Sequence, residues 1–237
     1  MRRLRGGAAA AMVLVFAVAG CKAETKTGSG GPQESGGSGA ALTAAESLTV
    51  KGRAPKTGYA RDRFGTAWAD TDSNSCDTRD DILKRDLDDV KFSDGKCKVS
   101  YGVLESDPYS GTKVTYRRGR SLVDIDHLVA LSDAWQKGAK YWDARKRIAL
   151  ANDPLNLLAV GASANRSKGD GDTATWVPPK AYRCTYVAAQ VAVKKKYGLW
   201  VTAAEKAAME KVLKTCPGQK LPSGGNPTQA PARFHAD

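Results

Sequence analysis

Asp124-Ile125-Asp126-His127 brings two carboxylates and an imidazole together in one short stretch. A carboxylate binds a hard cation through oxygen, and a neutral imidazole beside it takes a proton from water near neutral pH. The chain has two histidines. His235 stands in a Pro/Gly-rich tail, so His127 is the one expected in a folded site. Asn156-Leu157-Leu158 and Asn165-Arg166-Ser167-Lys168-Gly169-Asp170 follow downstream. Asp124 precedes Asp126 by two residues and shares its strand face, as a second ligand or as a solvent carboxylate. Taken singly, a strand-end histidine reads as a core residue, and lone asparagines read as caps or turn residues.

Taken in order, His127, Asn156-Leu157, Asn165 and Lys168-Gly169 resemble the HNH (ββα-metal) nuclease motif. Ile125-Asp126-His127-Leu128-Val129 and Asn152-Asp153-Pro154-Leu155-Asn156-Leu157-Leu158-Ala159-Val160 are similar to secreted bacterial relatives of the GmrSD-type C-terminal nuclease domain. With its flanks the likeness spans residues 58–216. It implies an α+β fold: a ββα-metal core with a helical insertion and flanking helices. It also implies a metal-dependent endonuclease acting on DNA, with RNA as a further substrate.

Hydrolysis of a phosphodiester needs a base to make the nucleophile and a cation to offset charge on phosphate and leaving oxygen. It also needs the base held in the correct tautomer. Carried over residue by residue, the resemblance makes His127 the base and Asn156 the group that orients its imidazole. Asp126 and Asn165 become oxygen ligands of one Mg²⁺ or Mn²⁺ ion, and Lys168 meets a phosphate oxygen. Gly161 and Ala164 stand where many HNH proteins carry zinc-binding cysteines, so no structural zinc is expected. Ala130 replaces a proline frequent in the family, a structural position.

The elements must bring these residues together. An apolar alternating run ends at His127, residues 154–160 read as a second strand, and Gly161 turns into a short helix starting at Ala162 or Ser163. His127 then lies on the first strand, Asn156 on the second and Asn165 on the helix. Between the strands, residues 128–151 are predominantly helical, broken at Gly138. Residues 99–104 and 113–116 read as strands around the turn Asp107-Pro108-Tyr109-Ser110-Gly111. Arg117, Arg118 and Arg120 follow that pair, either facing a phosphate backbone or forming a solvated turn. Arg145, Lys146 and Arg147 could add phosphate contacts, but such a run is more often a solvated face. Residues 182–197 form a helix with Lys194, Lys195 and Lys196 exposed, and residues 202–213 form another with Thr202 and Glu205 as a capping box.

Asp70-Thr71-Asp72-Ser73-Asn74, continued to Asp81, faintly resembles a calcium loop, but Ser75 occupies the turn-glycine position. A polar loop leading into a helix capped by Asp77 or Thr78 fits better. Ile82, Leu83, Leu87 and Val90 then form that helix's core face.

The chain has 237 residues with 41% hydrophobic content, enough for one ordinary domain and not two. Residues 1–20 read as a signal peptide: Arg2, Arg3 and Arg5, then an apolar run too short to span a bilayer. Val18-Ala19-Gly20-Cys21 resembles a bacterial lipobox, which makes Cys21 the lipidated mature N-terminus. The implied location is an extracytoplasmic bacterial membrane lipoprotein, with plain secretion as the alternative. Residues 21–57, the lipidated cysteine and a Gly/Ser-rich stretch, read as a flexible tether. Residues 58–216 are the HNH-like domain, and residues 217–237 read as a disordered tail.

Cys76, Cys97, Cys184 and Cys216 remain, an even number that implies disulfides in an exported protein. Three pairings are possible, and the neighbour pairing Cys76–Cys97 with Cys184–Cys216 is expected. The formal charge is +12, and +9 without the three leader arginines. A basic surface suits nucleic acid, and equally an anionic membrane or wall polymer. A non-catalytic binding lipoprotein is therefore a competing function, and a calcium-stabilised interaction module is a third. Phosphatase or peptidase activity lacks support, with no second histidine for the site, no Gly-x-Ser-x-Gly and no His-Glu-x-x-His. No protein partner is inferable.

Overall fold

In a computed structural model, residues 34–35, 39–120 and 122–236 are described. Residues 1–20, read as a signal peptide, and Cys21 lie outside them. Strand β1 (Glu34–Ser35) and helix α1 (Ala40–Glu46) come first, followed by a 3-10 turn at Arg61–Phe64. Helix α2 (Thr78–Asp86) starts at Asp77, whose carboxylate accepts from the Asp80 N–H at 2.7 Å. Asp80 and Asp81 sit in its first turn and Lys84 and Arg85 in its last, each sign matching the helix dipole. Strands β2 (Asp88–Phe92), β3 (Val99–Leu104) and β4 (Val114–Arg117) make an antiparallel sheet in that order.

Strand β5 (Val123–His127) precedes α3 (Leu131–Gln136), a 3-10 turn at Ala139–Tyr141, and α4 (Ala144–Ala151). A 3-10 turn at Pro154–Asn156, capped by Asp153, leads into β6 (Leu157–Gly161) and α5 (Ala162–Lys168). Strands β5 and β6 pair antiparallel from Val123↔Gly161 to His127↔Leu157. Helices α6 (Lys180–Tyr197) and α7 (Ala203–Lys214) and strand β7 (Leu221–Pro222) complete the chain. The protein is thus a mixed α+β fold. Asn156 ends the 3-10 turn before β6 rather than lying within the strand.

Strand β6 is buried along its whole length because both its faces are covered. Leu158 and Val160 pack with α1, α6 and α7, including Tyr186, Val191 and Leu213. Leu157 and Ala159 pack with Ile82, Leu83, Val99 and Tyr116 from α2, β3 and β4. Alternation along a strand sends successive side chains to opposite faces, so this one strand joins two cores. A third core gathers Phe64, Trp135, Ile148 and Tyr197 beneath α3 and α4.

The disulfides are Cys76–Cys97 and Cys184–Cys216, with Cα separations of 5.3 and 6.4 Å. The folded part extends beyond residues 58–216 at both ends. Ala41, Ala44, Ala45 and Leu48, in the stretch read as a tether, are buried against α6 and α7. Residues after Cys216 do not form the disordered tail their composition predicts: β7 pairs with β1, and Ala230 and Phe234 pack on the third core. Lys196 Nζ donates to the carbonyls of Gly224 and Asn226 and to Asp153 Oδ2, fastening that segment down.

A buried ionic cluster ties α3, α6 and α7 together. Lys137 Nζ lies 2.6 Å from Asp133 Oδ1, 2.8 Å from Asp172 Oδ2 and 2.6 Å from Glu205 Oε2. Lys194 Nζ lies 3.2 Å from Asp133 Oδ2 and 3.0 Å from Glu205 Oε1. Arg53 closes the cluster on Asp133 and Asp172 at 2.9 and 2.6 Å. The Glu205 oxygens meet the two ammonium groups at ion-pair distance. Lys194 is therefore not the exposed lysine of its run, and Glu205 points into the core rather than back to the Thr202 N–H.

Candidate functional site

The site is built on the end of β5 and the helix after β6. Val123 and Ile125 face the core, which leaves Asp124 and Asp126 on the side covered by α5. Residues two apart on the strand meet residues three apart on the helix. Asn165 Nδ2 donates to Asp124 Oδ2 at 3.2 Å, and Lys168 Nζ pairs with Asp126 Oδ1 at 3.0 Å. The turn into α5 is held by Asp107, whose Oδ1 accepts from the Gly161 N–H at 2.9 Å. Gly161 is required there, since a Cβ would stand 2.7 Å from Asp107 Oδ2.

His127 is buried, and its Nε2 is 2.9 Å from the Ala151 carbonyl. A carbonyl only accepts, so Nε2 carries the proton and Nδ1 keeps its lone pair. Burial drives the imidazole's pKa down to about 3, with Arg61 and Lys168 pushing the same way against the Ala151 hydrogen bond. The ring is neutral at pH 7 and has the tautomer of a base. Trp68 lies nearly parallel to it, 6.0 Å between centroids and 11° between planes.

Asp126 spends both oxygens inside the protein. Oδ1 meets Lys168 and Oδ2 accepts from the Tyr109 hydroxyl at 2.5 Å. Burial raises its pKa, and these two donors oppose the rise. Lys168 is itself buried and also donates to the His127 carbonyl at 2.9 Å. It therefore acts as the counter-charge of Asp126 and not as a surface contact for phosphate. Arg120 is exposed on the turn after β4 and is not among the residues that line the cleft.

Asn156 does not touch the imidazole. Its Oδ1 accepts from the Val129 N–H at 2.8 Å, and its Nδ2 donates to the carbonyls of Val129 and Leu150 at 3.4 and 3.3 Å. It clasps the segment leaving His127 to the end of α4, whose next carbonyl, that of Ala151, receives the His127 N–H. Its hold on the ring runs through the backbone.

Asp124, Asp126, His127 and Asn165 line one cleft of about 330 Å³ together with Arg61 and Arg79. Sequence reasoning missed both arginines. They come from separate segments with no motif, and only the fold brings them to the cleft. Tyr109 read as a turn residue; it is buried because Trp176 and Tyr186 pack on it. The Asp70–Asp81 loop closes on itself, with the Asn74 amide donating to Asp72 and Asp81. Among the described residues, no group of three or more His, Cys, Asp or Glu side chains is arranged to hold a metal.

Residues 77–212 match the family described as GmrSD restriction endonucleases, C-terminal domain. A protein of Arthroderma benhamiae described as an uncharacterized secreted protein is 43% identical over 172 residues, covering 71% of this chain and 81% of the relative.

Proposed function

The chain belongs to the family of GmrSD restriction endonuclease C-terminal domains, and we propose that it is a metal-dependent endonuclease that hydrolyses phosphodiester bonds in nucleic acid, DNA foremost. One observation carries this reading. A neutral imidazole, its Nε2–H committed to the Ala151 carbonyl, stands in a cleft beside carboxylate and amide oxygens. Nδ1 is then the atom that takes a proton from the attacking water. Lys168 and Asn156 position this base through the His127 carbonyl and the Val129–Leu150 backbone. Arg61 and Arg79 stand where phosphate oxygens would be met.

The ββα-metal reading rests on β5, β6 and α5 following one another in chain order and carrying His127 and Asn165 to one cleft. A divalent cation suits the donors present. Asp124, Asp126 and the Asn165 side-chain oxygen are all hard oxygen ligands, and so small a set matches Mg²⁺ or Mn²⁺ keeping several waters. Asp126 would share its carboxylate with Lys168, so Asp124 and Asn165 are the freer pair. When bound, the ion would offset charge developing on the phosphate and the leaving oxygen.

Export fits the same reading. The two disulfides belong to an oxidising compartment, and the Arthroderma relative is described as secreted. Among the described residues no helix is long and apolar enough to cross a membrane. Anchoring would then fall to lipid on Cys21.

The test is nicking of supercoiled plasmid by the full chain with Mg²⁺, Mn²⁺ or EDTA, beside His127→Ala and Asp124→Asn. Metal-dependent nicking by the native chain that falls at least about a hundredfold in His127→Ala is expected. Equal activity in the two would remove His127 from the role of base. Salt-sensitive DNA binding without cleavage would favour a binding scaffold.

A further inference from the structure

Behind His127 lies a second pocket, of about 240 Å³. Arg61, Trp68, His127 and Leu131 line both it and the cleft, so the two cavities share a wall. Its other walls include Phe64 and Ala151, with Asp62, Thr66 and Asn152 as polar groups. Flat apolar walls with a few polar atoms are what orient a single ring system, and the volume is below the usual range for larger ligands.

A further observation marks this pocket as a place for a ligand. Trp68 holds a left-handed backbone, φ 60°, which a bulky side chain adopts only under constraint. That conformation places its ring beside His127, with the Arg79 guanidinium 5.9 Å from its centroid.

We infer that this pocket takes one unstacked nucleobase from a single-stranded or locally opened nucleic acid whose backbone lies in the neighbouring cleft. The inference rests on the nuclease reading and adds the form of its substrate. Trp68, partly exposed, offers aromatic surface to the base, in the way that proteins hold single strands. Arg61, on the wall common to both cavities, is placed to meet the phosphate between base and scissile bond. A stacked duplex has no free base to offer and must first give one up.

The test is binding by the full chain, in EDTA so that nothing is cut, of a fluorescent eight-nucleotide thymidine strand and of the same strand with every base removed. Both carry the same phosphates. Ala67 and Thr66 are exposed residues on the pocket's lining, so Ala67→Trp plugs it from outside, and Thr66→Trp does so should the first variant fail to fold. The native chain is expected to favour the base-bearing strand by roughly tenfold or more. In the plugged variants that preference should fall below about threefold. Equal affinity of the native chain for both strands, or an unchanged preference in both plugged variants, overturns the proposal. Plasmid nicking is scored separately. A lost preference without any nicking in Mg²⁺ leaves the base pocket standing and removes the nuclease, and nicking with an unchanged preference does the reverse.

Discussion

Glu205→Gln is a near-isosteric change that removes one charge from the buried cluster of α3, α6 and α7. In the native chain, Lys137, Lys194 and Arg53 are balanced by Asp133, Asp172 and Glu205. Glu205, Lys137 and Lys194 have no exposed side-chain surface, so water cannot replace the lost partner. Removing one member of such a pair costs about 3–5 kcal/mol, because the charge left behind is buried and uncompensated. For a fold of this size each kcal/mol lowers Tm by roughly 2–4 °C, so a drop of about 6–20 °C is expected. Lys194→Met added to it restores the balance. The double variant should lose less than the sum of the two single losses, by about 0.5–3 kcal/mol. Differential scanning calorimetry or urea melts at pH 7 of the four proteins measure this. A single-variant loss under about 1 kcal/mol, or strict additivity, would refute the reasoning from burial and balance.

Asp133 in that cluster is held at about 2, since Lys194 and Lys137 outweigh the effect of burial. A carboxylate depressed on folding stabilises fully above its ordinary value near 3.8 and loses that contribution as pH falls toward 2, so urea midpoints should drop across that window. His127, depressed from 6.5 to about 3, adds a loss of its own as pH falls between those values, and His127→Gln should flatten the stability profile there. Tyr109→Phe removes the hydroxyl that donates to buried Asp126. It should cost about 1.5–3 kcal/mol in a thermal melt and slow nicking through displacement of Asp126. Cys184→Ser with Cys216→Ser opens a link between residues 32 apart, and the expected loss by calorimetry is about 3–4 kcal/mol.

What the sequence disclosed follows from what is local. The alternation ending at His127, the Gly161 turn and the short helix of Asn165 are read from neighbouring residues, and the structure has β5, β6 and α5 there. The α7 start was legible because the Thr202 cap lies three residues from its target, the Glu205 N–H. Where a side chain finds its partner far along the chain, the reading failed. Lys168 looks like any solvent lysine until Asp126, 42 residues away, is seen to hold it. Lys194 sits in a lysine run, and only Asp133 and Glu205 from other helices explain its burial. Arg147 likewise read as surface, yet it donates to the carbonyls of Arg63 and Trp142. Alanines made both ends of the chain look unstructured. Ala41, Ala45 and Ala230 carry little hydrophobic signal but fit close against helices and turns.

The fastened C-terminal segment bears on how the protein can be handled. Gly225 lies so close to Asp153 that a Cβ would fall 2.0 Å from its Oδ1, so even alanine there would prise the segment away. Ending the chain at Cys216 would take the Gly224 and Asn226 carbonyls from Lys196 and the Asn226 N–H from Asp153, and would bare the apolar surface under Ala230 and Phe234. Beyond that point the backbone runs toward the base pocket: the His235 carbonyl lies 3.6 Å from where a Gly65 Cβ would be, and Gly65 lines that pocket. A purification tag or reporter joined to the C-terminus would therefore hang at the pocket mouth and compete with a bound strand. Joined before α1, it would emerge on the side of α6 and α7 and leave that mouth open.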